Sequence, residues 1–258
     1  MPSQLIATAD WSAARRHLSR RDPIMRQILR EIGPCTLRRR RDYFAFLCRS
    51  IYSQQISTAV AAALFAHFRT HFPRRRPTPV LTRALLAQSN GSPHPRGLSR
   101  QKKTYLLDLA DHFLNNRIPS RRLSRMSDEQ IIDALIRVRG IGRWTAEMFL
   151  IFVLNRPDVL PVDDLGLRIG IQKAYGLKDR PTAAQIRQLA APWEPHRTLA
   201  TWALWRYLEH SKKNKMIFTA SSSLSFRAEG HFAGDAEGRR ISFPRRCMAR
   251  ERTLIGFC

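Results

Sequence analysis

Apolar residues at helical spacing recur along most of the chain, and this periodicity limits the fold more than any other feature of the sequence. Residues 42–52, 57–72 and 143–154 each carry such a pattern, and the last is apolar almost all the way round. Over the first 210 residues, no stretch of any length alternates apolar and polar residues as a strand does. We therefore predict an all-α fold, with the helix over 143–154 central in its core.

Several predicted helices carry start signals. Ser57 or Thr58 can cap the helix over 57–72, and Ser99 can cap the next. The spacings Ser127 to Gln130 and Thr182 to Gln185 match capping boxes, in which two side chains bond each other's backbone N–H groups.

The character of the sequence changes after about Ser211. Residues 211–258 are rich in Ser, Gly and Arg and show weak periodicity. We predict one domain over 1–210 and a basic C-terminal tail over 211–258 that is disordered or loosely attached, with short strands such as 222–228 as the alternative. An added basic tether and the product of an altered reading frame both stay open as explanations of this segment.

The charge of the chain points to a polyanionic partner. Forty-five Lys and Arg residues oppose 20 Asp and Glu, for a net charge of +25. So large an imbalance repels itself, and nucleic acid is the commonest partner that offsets it. The alternative is a well-solvated surface.

The cysteines and the chain's hydropathy limit cofactors and location. Cys35, Cys48, Cys247 and Cys258 form no CxxC pair, so we expect neither a structural zinc nor an iron–sulfur cluster. Isolated cysteines fit a reducing compartment. No apolar signal core or transmembrane-length run is present. We expect a soluble, cytoplasmic protein that does not enter membranes, with a monomer as the default.

The stretch RVRGIGRWTAEMF, residues 137–149, predicts a tight turn between two helices. Gly140 and Gly142 permit positive φ and remove the Cβ atoms that would block an approaching group, while Ile141 can plug the turn into the core. The second helix then offers unpaired N–H groups to an anion, flanked by Arg139 and Arg143. A DNA phosphate would fit, and an ordinary helical hairpin is the alternative.

Two adjacent acids follow downstream. Asp163 and Asp164 lie at a proline-bounded helix start, in the sequence LPVDDLGLRIG. One aspartate suffices for an N-cap. A second carboxylate beside a phosphate-binding site suggests a role in catalysis in addition to capping.

Together these motifs resemble the helix-hairpin-helix DNA glycosylases with a Gly/Pro-rich loop and a catalytic aspartate, and most closely the 3-methyladenine DNA glycosylase II type. RDPIMRQILREIGPC, RSIYSQQIS, GLSRQKKTYLLDLA and PWEPHRTLATWALWRYL also resemble that family, so the likeness covers about residues 21–208. The resemblance implies two helical lobes with DNA and a flipped base in the cleft between them. It also implies cleavage of an N-glycosidic bond.

The resemblance assigns roles to individual residues. The family's catalytic carboxylate matches Asp164, which would stabilise positive charge on the sugar and orient or deprotonate the attacking water. Asp163 is then the better candidate for the cap or for fixing the loop. Thr145 belongs to the DNA-binding hairpin with Arg139, Gly140, Ile141, Gly142 and Arg143.

Trp144 bears on the reaction type. Lyase members of the superfamily carry a lysine at the matching position, so a tryptophan implies a monofunctional hydrolase. An aromatic face also attracts a cationic leaving base. Trp205, Tyr52 and Phe46 are further candidates for pocket walls, with core packing as the alternative for each.

The remaining expectations concern the DNA contacts and partners. Gln55 matches the tip of the loop that supplies the wedge in relatives, with a polar helix connection as the alternative. Arg168 and Arg197 are expected to pair with acids or phosphates. The expected partner is double-stranded DNA with alkylated bases, in the nucleoid of a bacterium or the nucleus of a eukaryote. No cofactor is expected, apart from a monovalent cation at the hairpin as an open option.

Two rivals stay open. One is a non-catalytic DNA-binding module that keeps the hairpin for phosphates. The other is a glycosylase with lyase activity that acts on other damaged bases. The preferred lesion does not follow from the sequence, because one or two pocket side chains can change it.

Overall fold

The computed structural model describes residues 9–87 and 95–225, with side chains described as far as Ser211. All regular secondary structure in this part of the chain is helical and it contains no strand, which confirms the all-α prediction. Its α-helices are α1 (Trp11–Arg21), α2 (Pro23–Ile32), α3 (Tyr43–Tyr52), α4 (Thr58–Thr70), α5 (Pro79–Ala87), α6 (Arg100–Leu114), α7 (Asp128–Ile136), α8 (Arg143–Phe149), α9 (Leu165–Ala174), α10 (Ala183–Leu189) and α11 (Arg197–Ser225).

The helices begin where the capping signals predict. Ser57 caps α4 and Ser99 caps α6. Both capping boxes are present, with Ser127 and Gln130 bonding reciprocally at the start of α7 and Thr182 and Gln185 at the start of α10. Local side-chain chemistry therefore sets these boundaries.

The helices pack as two sets. In one, α11 contacts α1, α2 and α9, and α1 contacts α2; in the other, α3 contacts α4, α6 and α8, while α5 packs on α6 and α7 on α8. A continuous hydrophobic core joins both sets. The predicted cleft between two lobes stays a prediction.

The central helix is α8 with its continuation. α8 passes directly into a π-helical segment, Leu150–Leu154, in which every residue is buried. Residues 145–154 are buried, which confirms the predicted central position for all but the exposed Arg143 and the half-buried Trp144. The segment ends at Asn155 in the left-handed conformation, with φ of 58°.

The end of the described chain bears on the predicted tail. α11 continues to Ser225, past the predicted boundary at residue 211. The rest of the predicted tail, 226–258, lies outside the described residues. No helix in the part that the structure describes is both long and apolar enough to cross a membrane.

Candidate active site

Asp164 lies at the start of α9 and is only 2% exposed. Its Oδ1 accepts the N–H of Leu167 at 2.6 Å, so Asp164 is the N-cap of the helix. Asp163 was the candidate for the cap or for fixing the loop, and the cap is the part of that prediction that is wrong. Asp163 lies one residue further from the helix, and its side chain is 73% exposed.

Two tryptophans converge on the same carboxylate. The Nε1 of Trp144 donates to Oδ2 of Asp164 at 2.8 Å, and the Nε1 of Trp205 donates to Oδ1 at 2.9 Å. Trp144 is the second residue of α8 and Trp205 lies on α11, so Asp164 sits where the two helix sets meet. Three N–H donors therefore hold both carboxylate oxygens in one orientation.

A glycine leaves room for this arrangement. A Cβ on Gly166 would stand 3.1 Å from Oδ1 of Asp164 and 3.1 Å from Cδ1 of Trp205. Contacts that short would push the carboxylate or the indole aside. The glycine two residues after Asp164 thus belongs to the packing of the site.

The loop that leads to Asp164 is fixed by two arginines. Arg197 holds Asp158 through Nε at 2.8 Å and Nη2 at 2.7 Å. Arg168 donates to the carbonyl of Val162 at 2.9 Å and pairs with Asp163 at 3.1 Å. Both predicted supporting arginines therefore pair with acids, and Asp163 helps to fix the loop rather than capping α9.

Of the other predicted pocket aromatics, Trp205 lies at the Asp164 carboxylate, whereas Phe46 and Tyr52 lie elsewhere. Trp205 stacks on Phe152 with ring centroids 5.6 Å apart. Phe46 and Tyr52, both on α3, are fully buried and pack against aromatic neighbours in the core. They follow the packing alternative, so neither ring is exposed to line a pocket in this conformation.

The Tyr52 side chain carries an unexplained polar atom. Its hydroxyl has no hydrogen-bond partner among the described residues. Burial raises the pKa of that hydroxyl far above its usual value. An unpartnered buried hydroxyl costs free energy, and nothing in the structure accounts for it.

The hairpin joins α7 to α8 as predicted, but its glycines differ. Gly140 has φ of 83°, and a Cβ there would overlap the ring of Tyr105. Gly142 has an ordinary φ of −95°, and a Cβ there would meet nothing. Gly142 therefore does not use the positive φ that a glycine permits, and the absence of a Cβ leaves an open approach to the backbone.

The remaining hairpin residues divide between core and surface. Ile141 and Thr145 are buried. The backbone N–H of Arg139 donates to Asp108 at 2.8 Å. The guanidinium of Arg143 pairs with Glu129 at 2.6 Å and with Glu147 at 3.3 Å, so acids offset the charge expected to face a phosphate.

The predicted wedge loop contacts this hairpin. Gln55 is exposed and adopts the left-handed conformation, with φ of 62°. Its neighbour Gln54 donates from Nε2 to the carbonyl of Gly140 at 2.6 Å. The structure thus brings the loop tip and the hairpin side by side, across 86 residues of sequence.

Sequence reasoning missed Glu147. It lies one turn after Arg143 on α8 and is 7% exposed. Burial raises the pKa of its carboxyl to about 7, opposed by the nearby guanidinium of Arg143. The available signal was a lone acid in an otherwise apolar run, since Lys, Glu, Arg and Asp are seldom buried without a partner.

A family model describes the same region. Residues 48–195 match the HhH-GPD superfamily base excision DNA repair protein family, a span that includes the hairpin, Asp164 and the loop between them. This chain belongs to the HhH-GPD superfamily. The resemblance inferred from the hairpin and the paired acids is confirmed.

Individual relatives cover most of the chain. It is 30% identical to the Schizosaccharomyces pombe alkylbase DNA glycosidase-like protein mag2, over 80% of this chain and 98% of that one. It is 32% identical to the DNA-3-methyladenine glycosylase 1 of the same yeast, over 74% and 84%. The solved structure of Schizosaccharomyces pombe Mag1 in complex with abasic DNA matches with a TM-score of 0.66, at 31% identity over 75% of this chain and 95% of Mag1.

Proposed function

We propose that this HhH-GPD protein is a monofunctional DNA glycosylase. It flips an alkylated purine of the 3-methyladenine class out of duplex DNA and hydrolyses the N-glycosidic bond, which starts base excision repair. The observation that carries the proposal is the carboxylate of Asp164, buried between two indole N–H groups beside the hairpin. The names of the relatives support the substrate class.

The chemistry follows from the fixed carboxylate. As the base leaves, positive charge builds on the sugar. A carboxylate held in a water-poor site stabilises that charge more strongly than one in bulk water. Asp164 also accepts a proton from, or orients, the water that attacks the sugar.

Trp144 supports the hydrolytic step and the choice of base. A tryptophan offers no amine, so no Schiff base forms at this position and the DNA strand is left intact. Trp144 is also partly exposed, and an aromatic ring attracts a cationic purine. Such a contact contributes about 0.5–2 kcal/mol.

The DNA contacts complete the proposal. The hairpin with the open side of Gly142 would receive a backbone phosphate without reading sequence, and Gln55 would fill the gap left by the flipped base. Mag1, a relative by structure, was solved with DNA. We expect a monomer, located with the DNA in the nucleoid or nucleus.

A monovalent cation at the hairpin is a further proposal. Its oxygen ligands would be backbone carbonyls of the turn. Those of Val138 and Gly140 each accept one hydrogen bond, and a carbonyl has two lone pairs. No step of the reaction depends on this ion.

One observation favours a second candidate, a DNA-binding protein without catalysis. Every oxygen of Asp164 already has a structural use, as a helix cap and as an indole partner. A purely structural aspartate would look the same.

Base release separates the two candidates. We expect wild type to release free base from alkylated duplex DNA in a single turnover, and Asp164→Asn to release it at least about a hundredfold more slowly with DNA affinity retained. A strand-nicking gel without alkali should show intact strands. Equal rates would remove Asp164 from the mechanism, DNA binding without any base release would favour the second candidate, and nicking would contradict the role given to Trp144.

A further inference from the structure

A groove outside the hairpin runs along the exposed face of α7. Its volume is about 430 Å³. Gln130, Asp133 and Arg137 form one wall, since residues three and four apart share a helix face. Arg117 and Arg122, from the segment between α6 and α7, lie on the other wall.

The arginines that line the groove differ in their pairing from those around Asp164. Arg117, Arg122 and Arg137 are exposed, and within the described residues their guanidiniums have no hydrogen-bond or ion-pair partner. By contrast, Arg168 and Arg197 each pair with an acid. Three cationic groups around one concavity attract an anion with several oxygens, and guanidiniums bind phosphate oxygens in pairs.

A buried arginine fixes the segment between α6 and α7, which forms the second wall of the groove. Arg156 is 4% exposed, and its Nη2 donates to the carbonyls of Leu123 at 3.1 Å and Met126 at 2.7 Å. The same guanidinium pairs through Nε with Asp128, the first residue of α7, at 3.2 Å. One buried cation therefore fixes the linker against the helix, so the groove needs little ordering before a ligand binds.

The groove reaches the end of α7 that precedes the hairpin. Arg137 is the C-cap of α7, three residues before Gly140. From Gln130 to Arg137 the helix rises about 10 Å, at 1.5 Å per residue. A strand whose phosphate reaches the hairpin can therefore continue along the groove.

We propose that this groove binds the sugar–phosphate backbone of the DNA flanking the lesion, through Arg117, Arg122 and Arg137. The inference rests on the proposed DNA-binding function and extends it beyond the hairpin. These contacts set affinity and register, and they do not read base sequence. Asp133 opposes binding, because its carboxylate faces the same polyanion.

Salt dependence tests the groove directly. The full-length triple variant Arg117→Gln, Arg122→Gln, Arg137→Gln is titrated with a fluorescent abasic duplex at several salt concentrations. Each lost phosphate contact lowers the slope of log affinity against log salt by about 0.9. We expect a slope reduced by about two to three, an affinity at least tenfold weaker, and single-turnover base release at saturating enzyme within about twofold of wild type.

A charge-matched control removes three exposed arginines on other elements, Arg30, Arg180 and Arg187. Its slope should fall by less than one. Asp133→Asn should tighten binding about twofold to threefold. Equal slopes in the two triple variants would overturn the proposal.

Two other outcomes separate the groove from the function on which it rests. If wild type binds DNA but releases no base, the glycosylase proposal fails. The salt-dependence slopes of the two triple variants still test whether the groove binds DNA. An acidic peptide that binds wild type but not the groove variant, with the DNA slope unchanged, would overturn the DNA assignment.

Discussion

The chain contains two buried aspartates that resemble each other closely, Asp22 and Asp164. Each caps a helix, and each accepts an indole N–H: Asp22 from Trp193 at 2.8 Å, Asp164 from Trp144 and Trp205. Asp22 also accepts the hydroxyl of Tyr175. Capping together with an indole bond is therefore not by itself a mark of catalysis.

The surroundings distinguish the two. Trp193 is fully buried, whereas Trp144 is partly exposed and follows the hairpin. Two residues after Asp22 stands Ile24, and two residues after Asp164 stands a glycine that keeps the carboxylate uncrowded. The two therefore differ in their partners and in the space around them, and not in their own exposure, which is 8% for Asp22 and 2% for Asp164.

The largest expected contrast is in stability. Asp22→Ala removes the acceptor of two backbone N–H groups, one hydroxyl and one indole, and should lower the free energy of unfolding by about 3 kcal/mol. Urea unfolding followed by circular dichroism measures this. Base release per folded molecule should match wild type, and a hundredfold loss in a folded variant would erase the distinction between the two sites.

A matched pair of indole substitutions sharpens the comparison. Trp144→Phe keeps an aromatic ring but removes the N–H that orients Asp164, so single-turnover base release should fall about tenfold. Trp193→Phe removes the corresponding N–H at Asp22 and should leave the rate unchanged. Equal losses in both variants would show that the rates report general destabilisation.

The buried acid Glu147 is expected to make the stability of the fold depend on pH. The folded state holds the proton of Glu147 up to about pH 7, whereas the unfolded chain releases it near 4.5. Between these values the folded state binds more protons, so this group's contribution to stability falls as pH rises. Glu147→Gln should unfold at the same urea concentration as wild type near pH 4, below the pKa of the unfolded carboxyl.

At pH 8 the same variant should be about 1 kcal/mol more stable than wild type, because the lost contact with Arg143 offsets part of the relieved burial of charge. Urea titrations at both pH values give the difference. A difference that does not grow with pH would show that Glu147 is ionised in the folded protein below pH 7.

The smallest expected effect concerns Gly166. Gly166→Ala presses on the Asp164 carboxylate and the Trp205 indole, and should slow base release about threefold. Gly176→Ala is a poor control because its φ is positive. Ala174→Gly on the same helix is the better one, and its base release should stay at the wild-type rate.

The sequence predicted the elements well because their signals are local. Caps and capping boxes depend on residues three positions apart, and they appear where Ser57, Ser99, Ser127 and Thr182 indicated. The hairpin and Asp164 followed from spacing together with a resemblance. Family membership is confirmed, while the role of Asp164 stays a prediction.

Orientation was not predictable in the same way. α3 is apolar at nearly every position, so periodicity could not show that Phe46 and Tyr52 point into the core. Choosing between Asp163 and Asp164 as the cap required the position of the first helical residue to within one place. The burial of Glu147 depends on how α8 packs against distant segments.

The hydrogen bond from Gln54 to the carbonyl of Gly140 has a mechanical consequence. It joins the loop that would enter the base stack to the turn that would rest on the backbone. In a protein that binds DNA as proposed, the position of the hairpin on the DNA backbone then limits how deeply the loop enters the duplex. Gln55 reaches a fixed distance into the duplex, set by where the turn is seated rather than by the sequence of bases it meets.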